Sequence, residues 1–264
     1  MRRLIAFSCA GVELAGSLEA ADGATGVVMV TGGSQTRVGS HRMYERLSKA
    51  LVDKGYSCLR YDRRGVGDSA GEDPGFRGSG PDIAAAVTAL RRECPALTHI
   101  VGFGLCDGAS AIALCGPEAG LDALILVNPW MVEAEAGEPP AAAVRAHYRK
   151  RLLSLEGWKK LLSGAVDYRK LLKGISRISA KDEGAPLARD IAAALRAAPR
   201  RAWLILAGGD ATAIAAEQEL KSAGFKGLIE GRETIQSDSH TFARRGDDAA
   251  LTVAVVRALK ALAP

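Results

Sequence analysis

The sequence predicts an α/β protein built on a mostly parallel sheet. Three observations carry that expectation. Short apolar runs alternate with helical stretches of about ten to fifteen residues, which is the rhythm of βαβ units. Glycine-bearing turns close several of the runs. The pentapeptide Gly104-Leu-Cys-Asp-Gly108 lies between an apolar run and an alanine-rich stretch, so strand, sharp turn and helix follow one another within a few residues.

The elements follow in order. Alternation over 2–9 and 13–20, joined at Gly11, predicts an opening antiparallel pair. The start of the chain faintly imitates a signal peptide, but its apolar run is short and meets Glu13, so it reads as a first strand. Residues 26–31 form a buried-type strand that runs into the loop Gly32-Gly33-Ser34-Gln35, and a helix follows from Ser40 or His41 to about Lys54. The strand 57–62 ends in the glycine turn Asp62-Arg-Arg-Gly-Val-Gly-Asp-Ser69. That turn lacks the third glycine feeding a helix that a dinucleotide site needs, and reads as scaffold. A helix over about 82–92, a strand over 99–103, a helix over 107–114 and a strand over 121–129 come next. Strands over 201–208 and 226–235 and a last helix over about 249–262 complete the chain. Right-handed crossovers put helices on both faces.

One region breaks the rhythm. About seventy residues after Asn128-Pro129-Trp130 hold no convincing strand. Residues 132–140 read as a loop, and 148–162 and 166–175 as helices with apolar and basic faces. The expected organisation is a core of residues 1–130 and 186–264 with a helical lid, 131–185, inserted over the carboxyl ends of the strands, where such sheets bind ligands. Segment 145–181 holds eleven Lys or Arg against two acids, +9, while the whole chain carries +5. Lys159, Lys160, Arg169 and Lys170 are the candidates for docking an anionic donor such as an acyl carrier protein or coenzyme A; a membrane surface and a plain solvated face are the other readings. No nucleic-acid reading motif accompanies the charge.

Composition bounds the rest. With 264 residues, 48% hydrophobic, the chain is long enough for one large core with an insertion. No run approaches the length of a transmembrane helix. Five cysteines without a CxxC pair argue against a disulfide framework and a zinc site. A cytoplasmic location and the use of neither metal nor cofactor are the expectations.

The chemistry centres on Cys106. Its setting is the frame of the G-x-S-x-G nucleophile elbow, with a thiol where the hydroxyl usually sits. The flanking glycines admit close packing on both sides of a strained residue, and the following helix favours a thiolate or an oxyanion. Of four histidines, His240 in Gln236-Ser-Asp-Ser-His-Thr-Phe242 follows the last strand and is the candidate base. His99 reads as structural, His147 falls in the insertion, and His41 is either a helix-start or a pocket residue. Asp210, in Ala207-Gly-Gly-Asp210, is the candidate orienting acid; Asp238 is its rival, and a helix cap is its alternative role. The oxyanion hole is expected from the N–H of Asp107 and a second N–H from Gly33 or Ser34. The order nucleophile, acid, base is that of α/β-hydrolases.

Four segments carry a closer resemblance: Thr31-Gly-Gly-Ser-Gln-Thr-Arg-Val-Gly-Ser-His-Arg42, Tyr61-Asp-Arg-Arg-Gly-Val-Gly-Asp-Ser69, Gly104-Leu-Cys-Asp-Gly-Ala109 and Asp238-Ser-His-Thr-Phe242. Over nearly its full length the chain resembles the α/β-hydrolase superfamily, and within it the exosortase A system-associated hydrolases, type 1. The resemblance implies the α/β-hydrolase fold, with Cys106 on the nucleophile, Asp210 on the acid and His240 on the base. Dienelactone hydrolases and some thioesterases are similar in using cysteine there.

A thiol attacks activated acyl groups well and unactivated esters poorly. The expected enzyme is therefore a cysteine-dependent thioesterase or acyltransferase cleaving a carrier-protein or coenzyme A thioester through a Cys106 acyl-enzyme. The alternatives are a lactone or enol-ester hydrolase resembling dienelactone hydrolase, and a non-catalytic hydrolase-like binding protein.

Overall fold

The computed structural model describes residues 2–132, 185–198 and 201–264. The expected lid, its four docking residues and His147 lie outside the described residues. Eight strands form one sheet: β1 (Arg2–Cys9), β2 (Val12–Glu19), β3 (Thr25–Val30), β4 (Ser57–Tyr61), β5 (His99–Leu105), β6 (Ala123–Val127), β7 (Arg201–Ala207) and β8 (Gly231–Ile235). The described helices are α1 (Met43–Val52), α2 (Gly80–Glu93), α3 (Asp107–Cys115), α4 (Pro186–Ala197), α5 (Ala211–Leu220) and α6 (Asp247–Ala261). The spatial order is β1-β2-β4-β3-β5-β6-β7-β8. β1 and β2 form an antiparallel hairpin, and β2 pairs antiparallel with β4. From β4 to β8 every pairing is parallel. This mostly parallel sheet flanked by helices is the α/β-hydrolase architecture.

The order places the site. β4 lies on one side of β3 and β5 on the other, so successive crossovers leave β3 and β5 in opposite directions. A crevice opens at such a switch point, beyond the carboxyl ends of the two strands. The 31–39 loop leaves β3 there, and Cys106 follows the last residue of β5.

Side-chain alternation along the buried strands supplies two cores. Val28 and Val30, Ile100, and Leu124 and Leu126 face one layer, packed with α2, α3 and α4. Val27 and Met29, Val101, Phe103 and Leu105, and Ile125 and Val127 face the other, packed with α1 and α6. A strand buried on both faces reads as a continuous apolar run, which is why the central strands stand out in the sequence. Where the edges differ from expectation the backbone explains it. The expected strand 226–235 shortens to β8 because Gly227, at φ +77, turns the chain first. The helix expected from Ser40 begins at Met43, because His41 (φ 40) and Arg42 (φ 63) hold left-handed conformations that an α-helix excludes. Among the described residues no helix is long and apolar enough to cross a membrane.

Candidate active site

Cys106 adopts φ 59 and ψ −127, a conformation rare for any residue with a side chain, between the end of β5 and the start of α3. Its N–H donates to Val127 O at 3.0 Å, and its carbonyl accepts from Ala109, Ser110 and Trp130 N–H. The strained turn is therefore pinned to the neighbouring strand β6 and to its own helix. Two glycines make it possible. A Cβ on Gly104 would lie 2.4 Å from Gly108 O, and one on Gly108 would lie 2.4 Å from Val30 O. Helix, strand and elbow are thus in backbone contact, and Cys106 is left half-buried at the crevice.

Of the other thiols, burial pushes Cys9 up to about 11, helped by its hydrogen bond to Asp82 Oδ1 at 3.1 Å. Burial also raises Cys58 and Cys115. Those three are packing residues.

His240 reaches the crevice from the loop after β8. Its Nδ1 lies 2.9 Å from Asp210 Oδ2. The same carboxylate oxygen accepts from Ala213 N–H at 3.0 Å, so Asp210 caps α5 and holds the histidine at once. The rival Asp238 instead pairs with Arg244 at 2.9 and 3.1 Å. A Cβ on Gly209 would come within 2.9 Å of Asp238 Cβ, so the glycines before Asp210 let the β7 and β8 loops touch. The hydrogen bond to Asp210 raises the pKa of His240 from 6.5 to about 10; Cys106, by hydrogen bonding and charge, adds to this, and burial opposes it.

Three more residues support the site: Asn128 and Arg63, at which the sequence does not point, and His41, the helix-start or pocket candidate. Asn128, fully buried at the end of β6, donates from Nδ2 to His240 O at 2.9 Å and accepts from Ala207 N–H at 2.8 Å. His41 lies 2.8 Å through Nε2 from Thr241 O and 2.9 Å through Nδ1 from Arg46 Nη2. A carbonyl only accepts, so Nε2 carries the proton and Nδ1 accepts from the guanidinium. Arg63 donates to Gly33 O at 2.5 Å. The sequence signals for these were thin: an Asn-Pro step after a strand, a histidine beside a glycine loop and an arginine in a turn. His99 is buried, 3.9 Å from Asp122, away from the crevice. Of the expected oxyanion donors, Gly33 N–H lies 2.6 Å from Asp107 Oδ1, Asp107 opens α3, and Ser34 is exposed on the loop. No group of His, Cys, Asp and Glu among the described residues could hold a metal ion.

A family model described as serine aminopeptidase, S33, matches residues 24–196. The chain belongs to the serine aminopeptidase S33 family. No curated protein matches the chain. Among solved structures, the S33 chain is similar to the esterase Pf2001 of Pyrococcus furiosus, at 15% identity and TM-score 0.68, over 100% of this chain and 94% of that one. It is also similar to a dienelactone hydrolase from Anabaena variabilis, at 16% identity and TM-score 0.64, over 99% and 98%. Est1E from Butyrivibrio proteoclasticus, solved with ferulic acid bound, shares 14% identity at TM-score 0.64, over 98% of each chain. At these identities the three likenesses establish the fold.

The family corrects one expectation. A cysteine-dependent thioesterase or acyltransferase acting on carrier-protein or coenzyme A thioesters is not what the S33 match supports, because that family is one of serine hydrolases. Taken alone, a thiol at position 106 points to thioester chemistry. The elbow, however, fixes where the attacking atom stands and not which acyl group reaches it. Hydrolase activity stands.

Proposed function

We propose that this site hydrolyses lactones or enol esters, with residue 106 at the attacking position, His240 as proton carrier and Asp210 as its orienting partner. The observation that carries the reading is His240, held by Asp210 at 2.9 Å and raised to about 10 beside Cys106. A histidine in that state readily takes the proton of residue 106 and holds it for the leaving oxygen of a substrate. The likeness to a dienelactone hydrolase supports the substrate class. The four motif segments named above support placement among the exosortase A system-associated hydrolases, type 1.

The chemistry follows in two halves. The side chain at 106 gives its proton to His240 as it attacks the carbonyl carbon, and the carbonyl electron pair moves to oxygen. The amides of Asp107 and Gly33 are the donors proposed for that oxyanion, Gly33 N–H once it is released from Asp107 Oδ1. Its collapse breaks the ring C–O bond, and the departing oxygen takes the proton from His240. Water then gives a proton to His240 while its oxygen attacks the acyl carbon. The second tetrahedral intermediate collapses with breakage of the bond between the acyl carbon and residue 106, which takes its proton back from His240, and the acid product leaves. An enolate or aryl oxide leaves easily, so activated lactones and enol esters suit the site better than alkyl esters.

The test offers the purified protein dihydrocoumarin, isopropenyl acetate and acetyl-coenzyme A at equal concentration. The reading expects the lactone and the enol ester to be opened faster than the thioester. Faster loss of the thioester, or no turnover of any of the three, would overturn it.

A further inference from the structure

The Gly33 N–H, assigned above to the oxyanion, already has a partner. It donates to Asp107 Oδ1 at 2.6 Å. Asp107 is the residue after Cys106 and the first of α3, where a carboxylate is favoured by the helix dipole. The carbonyl of the same glycine accepts from Arg63 Nη2 at 2.5 Å. The Arg63 side chain is 7% exposed and is tied to Asp73 Oδ2 at 3.0 Å. Its Nε has no partner among the described residues. Gly33 sits at φ +56 with nothing within 4 Å of where a Cβ would be, so hydrogen bonds rather than packing hold it. A Cβ on Gly32 would lie 2.3 Å from Asp107 Oδ1 and 3.3 Å from Cys106 Cβ. Carboxylate, glycine loop and elbow therefore meet at one point.

We propose that Asp107 is a displaceable block on the oxyanion donor, and that Arg63 is the fixed anchor that keeps Gly33 in place when the block is displaced. The inference rests on the hydrolytic reading above. One N–H cannot serve a carboxylate and an oxyanion at full strength, so the reacting oxygen must take the place of Oδ1. The exchange is of hydrogen bonds alone, with no covalent bond made or broken. A neutral ground-state carbonyl competes poorly with a carboxylate for that donor, whereas the oxygen of the tetrahedral intermediate, carrying a full charge, competes well. Asp107 then stands as one negative charge beside another, which disfavours the intermediate. Substrates whose carbonyl oxygen gains charge readily pass this threshold; poorly activated ones do not. Asp107 is in this sense a specificity-determining residue, and Arg63 a positioning residue.

Two measurements on the full chain decide it. In wild type the Gly33 amide proton, bonded to a carboxylate, should resonate downfield, and Asp107→Ala should move it upfield. Asp107→Ala should raise kcat/KM for dihydrocoumarin about tenfold, the scale of one charge-assisted hydrogen bond. Asp107→Asn, still an acceptor but uncharged, should raise it less. Arg63→Met should lower kcat more than it raises KM, with circular dichroism unchanged, because it loosens a donor used mainly in the transition state. An unmoved Gly33 resonance, or, where wild type opens the lactone, a folded Asp107→Ala no faster than it, overturns the block. Wild type and variants that all leave dihydrocoumarin and isopropenyl acetate intact overturn the hydrolytic reading, and the Gly33 resonance alone then decides the block.

Discussion

His240 gathers most of the local chemistry into one ring. Asp210 is the larger reason for its raised pKa and Cys106 the smaller, and together they outweigh burial. Because the folded value, about 10, lies above the ordinary 6.5, the protonated ring stabilises the fold fully below about pH 6.5. That contribution is lost as pH rises through about 10. Urea unfolding of wild type and His240→Gln between pH 6 and 10.5 should show a stability gap that narrows across that window; a gap that stays constant would mean that the Asp210 contact does not hold the proton. The residues Cys106, Asp210 and His240 could be singled out from sequence because each sits in a short motif at a strand end. His41 could be read only as a helix-start or pocket residue, and Asn128 and Arg63 not at all. Each acts on a backbone carbonyl far away in the chain, 200, 112 and 30 residues off, and a carbonyl carries no sequence signature.

At the scale of elements, the elbow works because β5 and α3 approach to backbone contact. Gly108→Ala would force a Cβ to within 2.4 Å of the β3 carbonyl of Val30, which cannot move without breaking the sheet. A loss of about 2 kcal/mol or more is expected, read by thermal unfolding; a change under about 0.5 kcal/mol would contradict the close packing. Asn128 joins the ends of β6 and β7 to the loop carrying His240, at φ 41, a conformation asparagine tolerates better than most. Asn128→Ala should cost about 1–3 kcal/mol in urea, since it leaves buried backbone groups unpaired. Element boundaries were legible where apolar runs were continuous and less so where left-handed residues intervened. Nothing in composition alone announces that His41 and Arg42 delay α1, or that Gly227 shortens β8.

Over the whole molecule, the antiparallel hairpin β1–β2 is bound to the parallel sheet through charge as well as pairing. Arg60 on β4, its side chain 1% exposed, meets Glu19 on β2 at 2.6 Å, and Glu19 accepts from Ser48 on α1 at 2.6 Å. Glu19→Leu would strand a buried guanidinium and should cost about 3–5 kcal/mol, whereas Glu19→Leu with Arg60→Met should recover most of it. Equal losses in the single and double variants would remove the pair from the account. The fold class was legible because eight strands and their crossovers impose a long-range rhythm. The reaction was not, because a thiol and a hydroxyl at one elbow differ by a single atom. The central claim, that hydrolysis runs through position 106 in a serine-hydrolase frame, is tested most directly by the initial rate of dihydrocoumarin opening in wild type, Cys106→Ala and Cys106→Ser. The account predicts a loss of about 10³-fold or more in the alanine variant, with measurable turnover kept in the serine variant. A folded Cys106→Ala that opens the lactone at the wild-type rate would contradict it.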